Sequence, residues 1–476
     1  MTSEGRSDAV FQPFETEPGI ALPCYEGPDG HPTNLSFSNT ELSRSMLLLG
    51  STGSGKTTAL RSICRGLIEQ QAHSPSKKTA LIFFDFKGDQ QTIDLLSILA
   101  KRAGRASDVR VLSLGGDLAY DFLAGFGGLS DVQEYVERLL FGCGATNAHD
   151  AFWDEYRVGL LGTALTVSHV LGLPHDFPTW TSNAASWLLA DMLSVDTEKS
   201  FLEFGKRVAA MPAESSDRAL AQFAVSTLRD WGGGLDHRTK SNVRATLNNA
   251  LRPLLDPKVQ RLCRASALGH VNIADAVTQG QIVIVSIPAL LSPPLARLIG
   301  RALKADFYKA IFGRVIRPGI SHRLAMLVAD EYHLSATVGG TLYDDAMALP
   351  LIRGFGAGVV AATQTLANLD ITIGLNARNV LLPNFNSVLF FRTGEQATAN
   401  WATGLLGTRT KEITTREKQR DHGLLGDSPW RERTFTREVE RPIGTLSELS
   451  CLEPGQAFVH RQFEALQAGP VWLAEE

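Results

Sequence analysis

The residues of this chain best suited to chemistry lie in one glycine-rich segment. The segment fits the pattern G-x-x-x-x-G-K-[ST] at every fixed position and continues into a further threonine; it comprises Gly50, Ser51, Thr52, Gly53, Ser54, Gly55, Lys56, Thr57 and Thr58. Glycines allow backbone N–H groups to curl around phosphate oxygens. A lysine at this position reaches the β and γ phosphates of a nucleotide, and a threonine hydroxyl after it is a ligand for Mg²⁺. The segment therefore predicts a site for ATP with Mg²⁺, centred on Lys56 and Thr57.

The residues on either side supply the strand and the helix that such a loop requires. Met46 to Leu49 form an apolar run short enough for a buried strand. After the loop, apolar residues recur on one face of a helix, at Leu60, Ile63, Cys64, Leu67 and Ile68. The N-terminus of that helix adds a partial positive charge that favours bound phosphate.

Two further apolar runs each end in an aspartate, Asp85 and Asp330. Either could be the carboxylate that holds Mg²⁺. We choose Asp330 because Glu331 follows it, so that one carboxylate can serve the metal and the other can orient or deprotonate the attacking water. Asp85 would then lie just outside the metal's ligands, with the turn of residues 85–89 near the nucleotide.

Two residues later in the chain could complete the site. Gln364 ends an apolar strand, where its amide could sense the γ phosphate; a plain polar cap is the alternative. Arg353 lies 11 residues earlier and could reach a neighbouring subunit's nucleotide as an arginine finger. Most exposed arginines are only solvated, so the local sequence does not decide its role. Arg392, at the end of the next strand, is the alternative finger.

Composition limits the class of protein. The chain has 476 residues, enough for two or three domains, and its 46 basic and 50 acidic residues leave a net charge of −4. No global basic field exists, so a contact with nucleic acid would have to be a local stripe or a pore lining. The five cysteines form no C-x-x-C pair, which favours a reducing compartment and no zinc site. No apolar run reaches transmembrane length, and no signal core precedes the first domain.

The order of apolar and helical segments predicts three parts. Residues 1–42 look like a leader of turns and short strands. Residues 43–127 and 269–476 hold the apolar runs that end in candidate site residues, separated by helical stretches as a parallel sheet requires. Residues 128–268 are predicted to be an inserted all-α domain. The predicted fold class is therefore α/β, with a mainly parallel sheet.

Five segments also occur in a recognisable order: GSTGSGKTT, FFDFKGD, LVADEYHL, LIRGFGAGVVAATQT and REVERPIGTLSELSCLEPGQAFV. Over roughly residues 40–465 the chain resembles the type IV secretion coupling proteins, the TraD/TraG group of conjugative DNA-transfer ATPases, which belong with the FtsK and HerA pumps. The resemblance implies a RecA-like P-loop NTPase domain and a hexameric ring with ATP bound between subunits. DNA and secretion-channel or relaxosome proteins are the implied partners.

The resemblance also implies roles for single residues. It assigns the phosphates and Mg²⁺ to Lys56 and Thr57, metal binding and catalysis to Asp330 and Glu331, the sensor to Gln364 and the trans finger to Arg353. The chain departs from the family in having no predicted pair of membrane helices, no acidic tail, and Tyr120-Asp121-Phe122-Leu123 where the family tends to show Asn-Pro-Leu. These departures concern anchoring and docking. We expect a cytoplasmic protein that reaches the inner membrane, if at all, through a partner.

Several functions remain open from the sequence. The first is a DNA-translocating ATPase of the coupling type, and the second is a FtsK/HerA-like pump in repair, defence or segregation. A secretion or assembly ATPase that does not act on DNA is the third, and a nucleotide-gated scaffold is the fourth. The segment Arg409–Arg441, with nine basic and seven acidic residues, is either a DNA or partner contact or a solvated hairpin of mixed charge.

Overall fold

The structure is a computed structural model. It describes residues 19–26, 31–121, 151–172, 195–229, 256–263, 269–316, 322–339, 343–419, 431–462 and 470–473, with a few short stretches between them.

The described residues contain the following strands: β1 Gly19–Glu26, β2 His31–Ser38, β3 Met46–Leu49, β4 Ala80–Asp85, β5 Val109–Ser113, β6 Ile282–Ser286, β7 Ala325–Ala329, β8 Ala357–Thr363, β9 Ser387–Phe391, β10 Thr408–Gln419, β11 His422–Gly423, β12 Gly426–Asp427, β13 Arg431–Pro442, β14 Gln456–Arg461 and β15 Val471–Leu473.

The α-helices of the described residues are α1 Asn39–Ser43, α2 Lys56–Glu69, α3 Gln90–Arg102, α4 Ala151–Val170, α5 Val195–Ala210, α6 Ser216–Arg229, α7 Pro257–Leu262, α8 Ile273–Gln279, α9 Pro293–Phe312, α10 Asp345–Ile352, α11 Leu366–Ile373, α12 Leu375–Leu381, α13 Gln396–Leu406 and α14 Leu446–Ser450.

One sheet of 11 strands organises the molecule, in the order β2-β1-β15-β14-β9-β3-β8-β7-β4-β6-β5. Within the run from β9 to β5, each strand is parallel to the next. At the other side β14, β15, β1 and β2 join antiparallel. The predicted α/β class with a mainly parallel sheet is confirmed. Parallel strands end at a common edge, so the residues that follow β3, β4, β7, β8 and β9 are gathered there.

Both faces of the sheet are covered, which explains the unbroken apolar runs of its central strands. Along β3, Leu47 and Leu49 join a core that includes residues of α8 and α9, whereas Met46 and Leu48 join a core built with α2 and α3. The alternation follows from the two-residue period of a strand. The P-loop strand is therefore held rigidly between two apolar layers.

The predicted leader contributes strands to this sheet. β1 and β2 form a hairpin, and β1 pairs with β15 over Cys24 to Glu26. Ile20 lies so close to Gly66 of α2 that a Cβ on the glycine would be 2.8 Å from the Cβ of Ile20. Residues 19–38 thus extend the sheet and support the helix that follows the P-loop.

The described regular elements between residues 128 and 268 are helices. α4, α5 and α6 pack around a small apolar cluster of their own, which includes Val167, Phe204 and Ala221. The chain leaves and re-enters the sheet domain at one place, because Tyr120 N donates to Leu262 O at 2.9 Å and Val271 N donates to Ala119 O at 2.8 Å.

β10 and β13 form a two-stranded antiparallel ribbon outside the main sheet, paired from Thr408 with Pro442 to Gln419 with Arg431. The ribbon joins α13 to α14. None of the described helices is both long enough and apolar enough to cross a membrane.

Candidate nucleotide-binding site

The P-loop is fixed to both neighbours of its strand. Gly50 N donates to Thr363 O at the end of β8 (3.4 Å), and Ser51 N donates to Arg392 O just after β9 (2.8 Å). α2 then begins at Lys56. The first N–H groups of a helix have no acceptor within it, so those of Lys56 and Thr57 are directed toward any anion in the loop.

Only glycine fits at position 55. Gly55 has φ of 101°, a left-handed conformation that side chains disfavour. A Cβ at this position would also lie 2.6 Å from Gly455 N, and Gly455 N donates to Ser54 O at 3.0 Å. The start of β14 is therefore packed directly against the phosphate loop.

Lys56 is buried and folds back onto its own loop. Its Nζ donates to Gly50 O and to Ser51 O, the latter at 3.0 Å. Burial lowers the pKa of Lys56, an effect that Glu331 and Asp330 oppose by their negative charge. The ammonium thus lies within the loop that would surround the phosphates of a nucleotide.

Asp330 follows β7 and lies beside the P-loop. Thr57 Oγ1 donates to Asp330 Oδ2 at 3.3 Å, although the two residues are 273 positions apart. Asp330 Oδ1 accepts the N–H of Glu331 at 3.0 Å. A hydroxyl and a carboxylate oxygen at this separation suit a hard divalent cation such as Mg²⁺, which takes oxygen ligands.

Asp85, the alternative metal ligand, accepts hydrogen bonds from the turn that follows it. Oδ1 accepts the N–H groups of Lys87 and Gly88, both at 3.0 Å, and Oδ2 accepts the N–H of Asp89 at 2.7 Å. Oδ2 also accepts the hydroxyl of Ser286 on β6 at 3.0 Å. Asp85 therefore shapes the turn of residues 85–89, and its lone pairs are already used there.

The turn that Asp85 shapes presents Lys87 to the site. Lys87 Nζ donates to Asp330 Oδ2 at 2.7 Å and to Thr57 Oγ1 at 3.3 Å, and it lies 3.4 Å from Glu331 Oε1. Burial acts to lower the pKa of Lys87, but the charges of and hydrogen bonds to Asp330 and Glu331 outweigh it and raise that pKa. The ammonium is the counter-ion of the acidic pair in this structure.

Glu331 and Gln364 meet at the neighbouring strand ends. Gln364 Nε2 donates to Glu331 Oε1 at 3.1 Å. Glu331 has φ of 55°, an uncommon conformation for a residue other than glycine, and strain of this kind is concentrated at functional sites. Its Oε2 is buried without a hydrogen-bond partner among the described residues. An unsatisfied carboxylate oxygen of this kind suits a group that binds a water molecule from the ligand side.

His333 is the aromatic neighbour of this carboxylate. Its Nδ1 lies 3.6 Å from Glu331 Oε2 and 3.3 Å from Thr363 Oγ1. Burial lowers the pKa of His333, against the opposing charge of Glu331. The ring thus lies between the end of β8 and the Glu331 carboxylate.

Arg353 is not brought to this cluster. It lies in a short helical turn, Arg353–Phe355, before β8, whereas Gln364 lies after β8. Seven strand residues at about 3.3 Å each separate the two by roughly 23 Å. The Arg353 side chain is exposed. Arg392, in contrast, follows β9 and holds the P-loop through its backbone carbonyl.

A buried ion pair ties the loop after Glu331 to its surroundings. Lys304 on α9 donates to Asp345 Oδ2 and to Ser335 O. Asp345 Oδ2 also accepts the N–H of Thr337 at 2.8 Å, and Oδ1 accepts the hydroxyl of Tyr308 at 2.5 Å. Lys304 and Asp345 are almost fully buried. Asp345 begins α10, the helix that ends next to Arg353, so the network connects both regions.

Sequence reasoning did not single out Lys87, His333 or Lys304. The turn around Lys87 was expected near the nucleotide, but its orientation depends on β4 lying beside β6 and β7, which local sequence does not encode. The available signal for Lys87 was a lysine two residues after a strand-ending aspartate. Lys304 lies in an ordinary helical sequence and gave no signal.

The parallel sheet, the phosphate loop and the acidic pair define a RecA-like P-loop nucleotide-binding protein. Two family models match parts of the chain: "Helicase HerA, central domain" over residues 30–122 and "TraM recognition site of TraD and TraG" over residues 346–454. The first contains the P-loop and Lys87, and the second contains Arg353, Gln364 and the ribbon. The resemblance to the TraD/TraG group of the HerA clade, predicted from motifs, is confirmed by these matches.

Solved structures of the bacterial conjugative coupling protein TrwB share the fold. An unbound form has a TM-score of 0.62 at 16% identity, covering 93% of this chain and 87% of that chain. TrwB with ADP and Mg²⁺ has a TM-score of 0.59 at 16% identity, covering 92% and 87%. TrwB with a non-hydrolysable ATP analogue has 0.60 at 15%, covering 93% and 87%. Among curated proteins, no sequence matches the chain.

Proposed function

We propose that the chain is a Mg²⁺-dependent ATPase that drives movement of DNA, of the kind that couples DNA to a conjugative secretion channel. One observation carries the proposal: Thr57 at the start of α2 lies beside Asp330, which follows β7 together with Glu331, and Gln364, which follows β8, donates to Glu331. The TrwB complexes with ADP and Mg²⁺ and with an ATP analogue support the choice of ligand.

The site residues take the following roles in this proposal. The P-loop residues Gly50 to Thr58 cradle the phosphates, with Lys56 facing the β and γ phosphates. Thr57 and Asp330 hold Mg²⁺, which when bound neutralises charge on the phosphate oxygens. Glu331 orients the attacking water and accepts its proton at a carboxylate oxygen. Gln364, at the end of β8, acts as the sensor that contacts the γ phosphate.

The assembly is also a proposal. We infer a hexameric ring in which Arg353 reaches the nucleotide of the neighbouring subunit. Its exposure and its distance from its own P-loop support that inference, since a finger acting in trans must be free of the cis site. We propose further that residues 43–127 and 269–476 form the motor, that 128–268 form an inserted helical domain, and that 1–42 lead into the motor.

Partners follow from the two matched families. DNA is the proposed substrate, and a secretion-channel or relaxosome protein is the proposed docking partner, by analogy with the TraM recognition site of TraD and TraG. The proposed location is the cytoplasmic side of the inner membrane, reached through such a partner. A HerA-like pump in repair, defence or segregation is the second candidate, favoured by the match to the HerA central domain.

ATPase measurement with and without single-stranded and double-stranded DNA tests the proposal. We expect Mg²⁺-dependent turnover that DNA stimulates and that Lys56→Ala abolishes, because this change removes the cation that faces the β and γ phosphates. Turnover in Lys56→Ala at the wild-type rate would reject the site. ATPase activity indifferent to DNA would favour an assembly ATPase that does not act on DNA.

A further inference from the structure

The β10–β13 ribbon has two faces, which its register defines. Residues directly opposite in an antiparallel pair lie on the same face, and successive residues alternate between faces. Lys411 is opposite Val439, Ile413 is opposite Arg437, and Glu412 is opposite Glu438. The hydroxyls of Thr414 and Thr436 lie 3.4 Å apart, in agreement with this assignment.

The two faces differ in charge. Over residues 408–416 and 434–442, one face, called here the basic face, consists of Arg409, Lys411, Ile413, Thr415, Phe435, Arg437, Val439 and Arg441. It has four cations and no acid. The opposite face, called here the acidic face, includes Glu412, Glu438 and Glu440 and a single cation, Arg416. Basic and acidic residues are nearly equal in number along the sequence, but the strand pairing places them on opposite faces of the ribbon.

The basic face is available to a partner. Lys411, Arg437 and Arg441 are exposed, and the Phe435 side chain is 50% exposed. An exposed aromatic ring therefore lies on the same face as three exposed cations. Arg409, at the base, pairs with Glu448 on α14.

The base of the ribbon is joined firmly to the nucleotide site. Thr403 on α13 donates to Gly444 O at 3.2 Å, and a Cβ on Gly444 would lie 2.6 Å from the Leu406 side chain. After α14, the chain reaches Gly455, whose N–H donates to Ser54 O in the P-loop. A short chain of contacts, through α14 and Gly455, therefore connects the base of the ribbon to the P-loop.

We propose that the basic face of the ribbon contacts the sugar–phosphate backbone of DNA; this inference rests on the proposed DNA-dependent function. A face with four cations and no acid complements a polyanion. A two-stranded β-ribbon fits the major groove of a duplex, and an exposed aromatic ring provides a stacking surface for an unpaired base. The ribbon rise of about 3.4 Å per residue equals the rise per base along one DNA strand.

The test compares three triple variants in the full chain. The basic-face variant is Lys411→Gln, Arg437→Gln and Arg441→Gln. The acidic-face variant is Glu412→Gln, Glu438→Gln and Glu440→Gln. A charge-matched control removes three exposed cations elsewhere, by Lys101→Gln, Arg102→Gln and Lys206→Gln. Binding of labelled single-stranded and double-stranded oligonucleotides is measured by fluorescence anisotropy across a salt series, with a non-hydrolysable ATP analogue present.

We expect the basic-face variant to bind DNA at least about tenfold more weakly at low salt, with a salt slope smaller by about 2 to 3, one unit for each lost phosphate contact. The charge-matched control and the acidic-face variant should keep wild-type affinity or exceed it. Phe435→Ala should weaken single-stranded binding by about fivefold or more. Equal melting temperatures and equal ATP-analogue binding would show that the variants are folded.

Four outcomes would overturn the inference. Wild-type DNA affinity and salt slope in the basic-face variant would remove the ribbon from the contact and leave the DNA-dependent ATPase proposal intact. An equal loss in the charge-matched control would show an effect of net charge alone. Loss of binding to anionic phospholipid vesicles, with DNA binding unchanged, would assign the face to a membrane surface. Wild-type protein that binds no DNA would reject the proposed DNA substrate itself.

Discussion

Two lysines in the nucleotide-binding site contact different groups. Lys56 is held by carbonyl oxygens of its own loop, whereas Lys87 is held by the acidic pair of residues 330 and 331. A buried pair of carboxylates without a counter-cation would be strongly unfavourable. Lys87 therefore stabilises the site before nucleotide arrives, and it contacts the same oxygens that we assign to Mg²⁺.

Lys87→Met should consequently strengthen divalent-cation binding by the nucleotide-free protein. Two unit charges 4 Å apart interact by about 1 to 4 kcal/mol near a protein surface, so losing the ammonium should raise affinity by roughly fivefold or more. Mn²⁺ titration followed by electron paramagnetic resonance measures this directly. Lys87→Arg, which keeps the charge, is the matched control. Weaker Mn²⁺ binding in Lys87→Met than in wild type would contradict the competition.

Glu331→Gln should separate binding from hydrolysis. The substitution keeps the size of the side chain and leaves the Thr57–Asp330 contact in place, but removes the oxygen that can accept a proton. We expect ATP affinity near the wild-type value and turnover lower by roughly 10²-fold or more, the contribution typical of a general base. Single-turnover kinetics and nucleotide binding on the same preparation test it. Wild-type turnover would assign the base elsewhere.

For the strands, the sequence predicts where each one ends, but it does not predict which strands lie next to each other in the sheet. Apolar runs that stop at Asp85, Asp330 or Gln364 mark the ends of buried strands, because a central parallel strand is buried on both faces. The order of strands depends on pairing between distant segments, so the contact of Thr57 with Asp330 could only be hypothesised. The hairpin of β1 and β2 joins the sheet through β15. No local sequence pattern predicts that pairing.

The buried network between α9 and α10 gives an element-scale prediction. Asp345→Ala leaves Lys304 charged and buried, and also frees the N–H of Thr337. Removing one partner of a buried ion pair costs about 3–5 kcal/mol, so the free energy of unfolding should fall by this order. The combined change Lys304→Met and Asp345→Leu should cost less, since no charge is left unpaired. Chemical denaturation of both variants tests the order, and the reverse order would refute it.

At the scale of the whole molecule, the two edges of the parallel sheet serve different subunits in the proposed ring. One edge collects the P-loop, Asp330, Glu331 and Gln364, and the opposite edge holds Arg353. If Arg353 is the finger, a single chain cannot supply it to its own nucleotide in the proposed ring. It presents a donor and an acceptor surface, as a head-to-tail ring requires.

Mixed rings test that arrangement. Arg353→Ala should bind ATP normally and hydrolyse it roughly 10³-fold or more slowly, the value typical of an arginine finger. In rings that also contain Lys56→Ala subunits, some interfaces combine an intact P-loop with an intact finger and should regain activity. ATPase rate against mixing ratio is the measurement. Near-normal turnover by Arg353→Ala in assembled rings would rule out Arg353 as the finger.

The position of β3 in the sheet also governs when the protein can fold during its synthesis. β3 leaves the ribosome early, but both of its neighbours, β8 and β9, lie more than 300 residues later in the chain. At about 5–20 residues per second, the apolar strand and its loop wait on the order of 15 to 60 s for partners. During that time residues 46–49 offer two unpaired edges to any other chain. The strand therefore cannot complete its parallel pairing until β9, the later of its two neighbours, has been released.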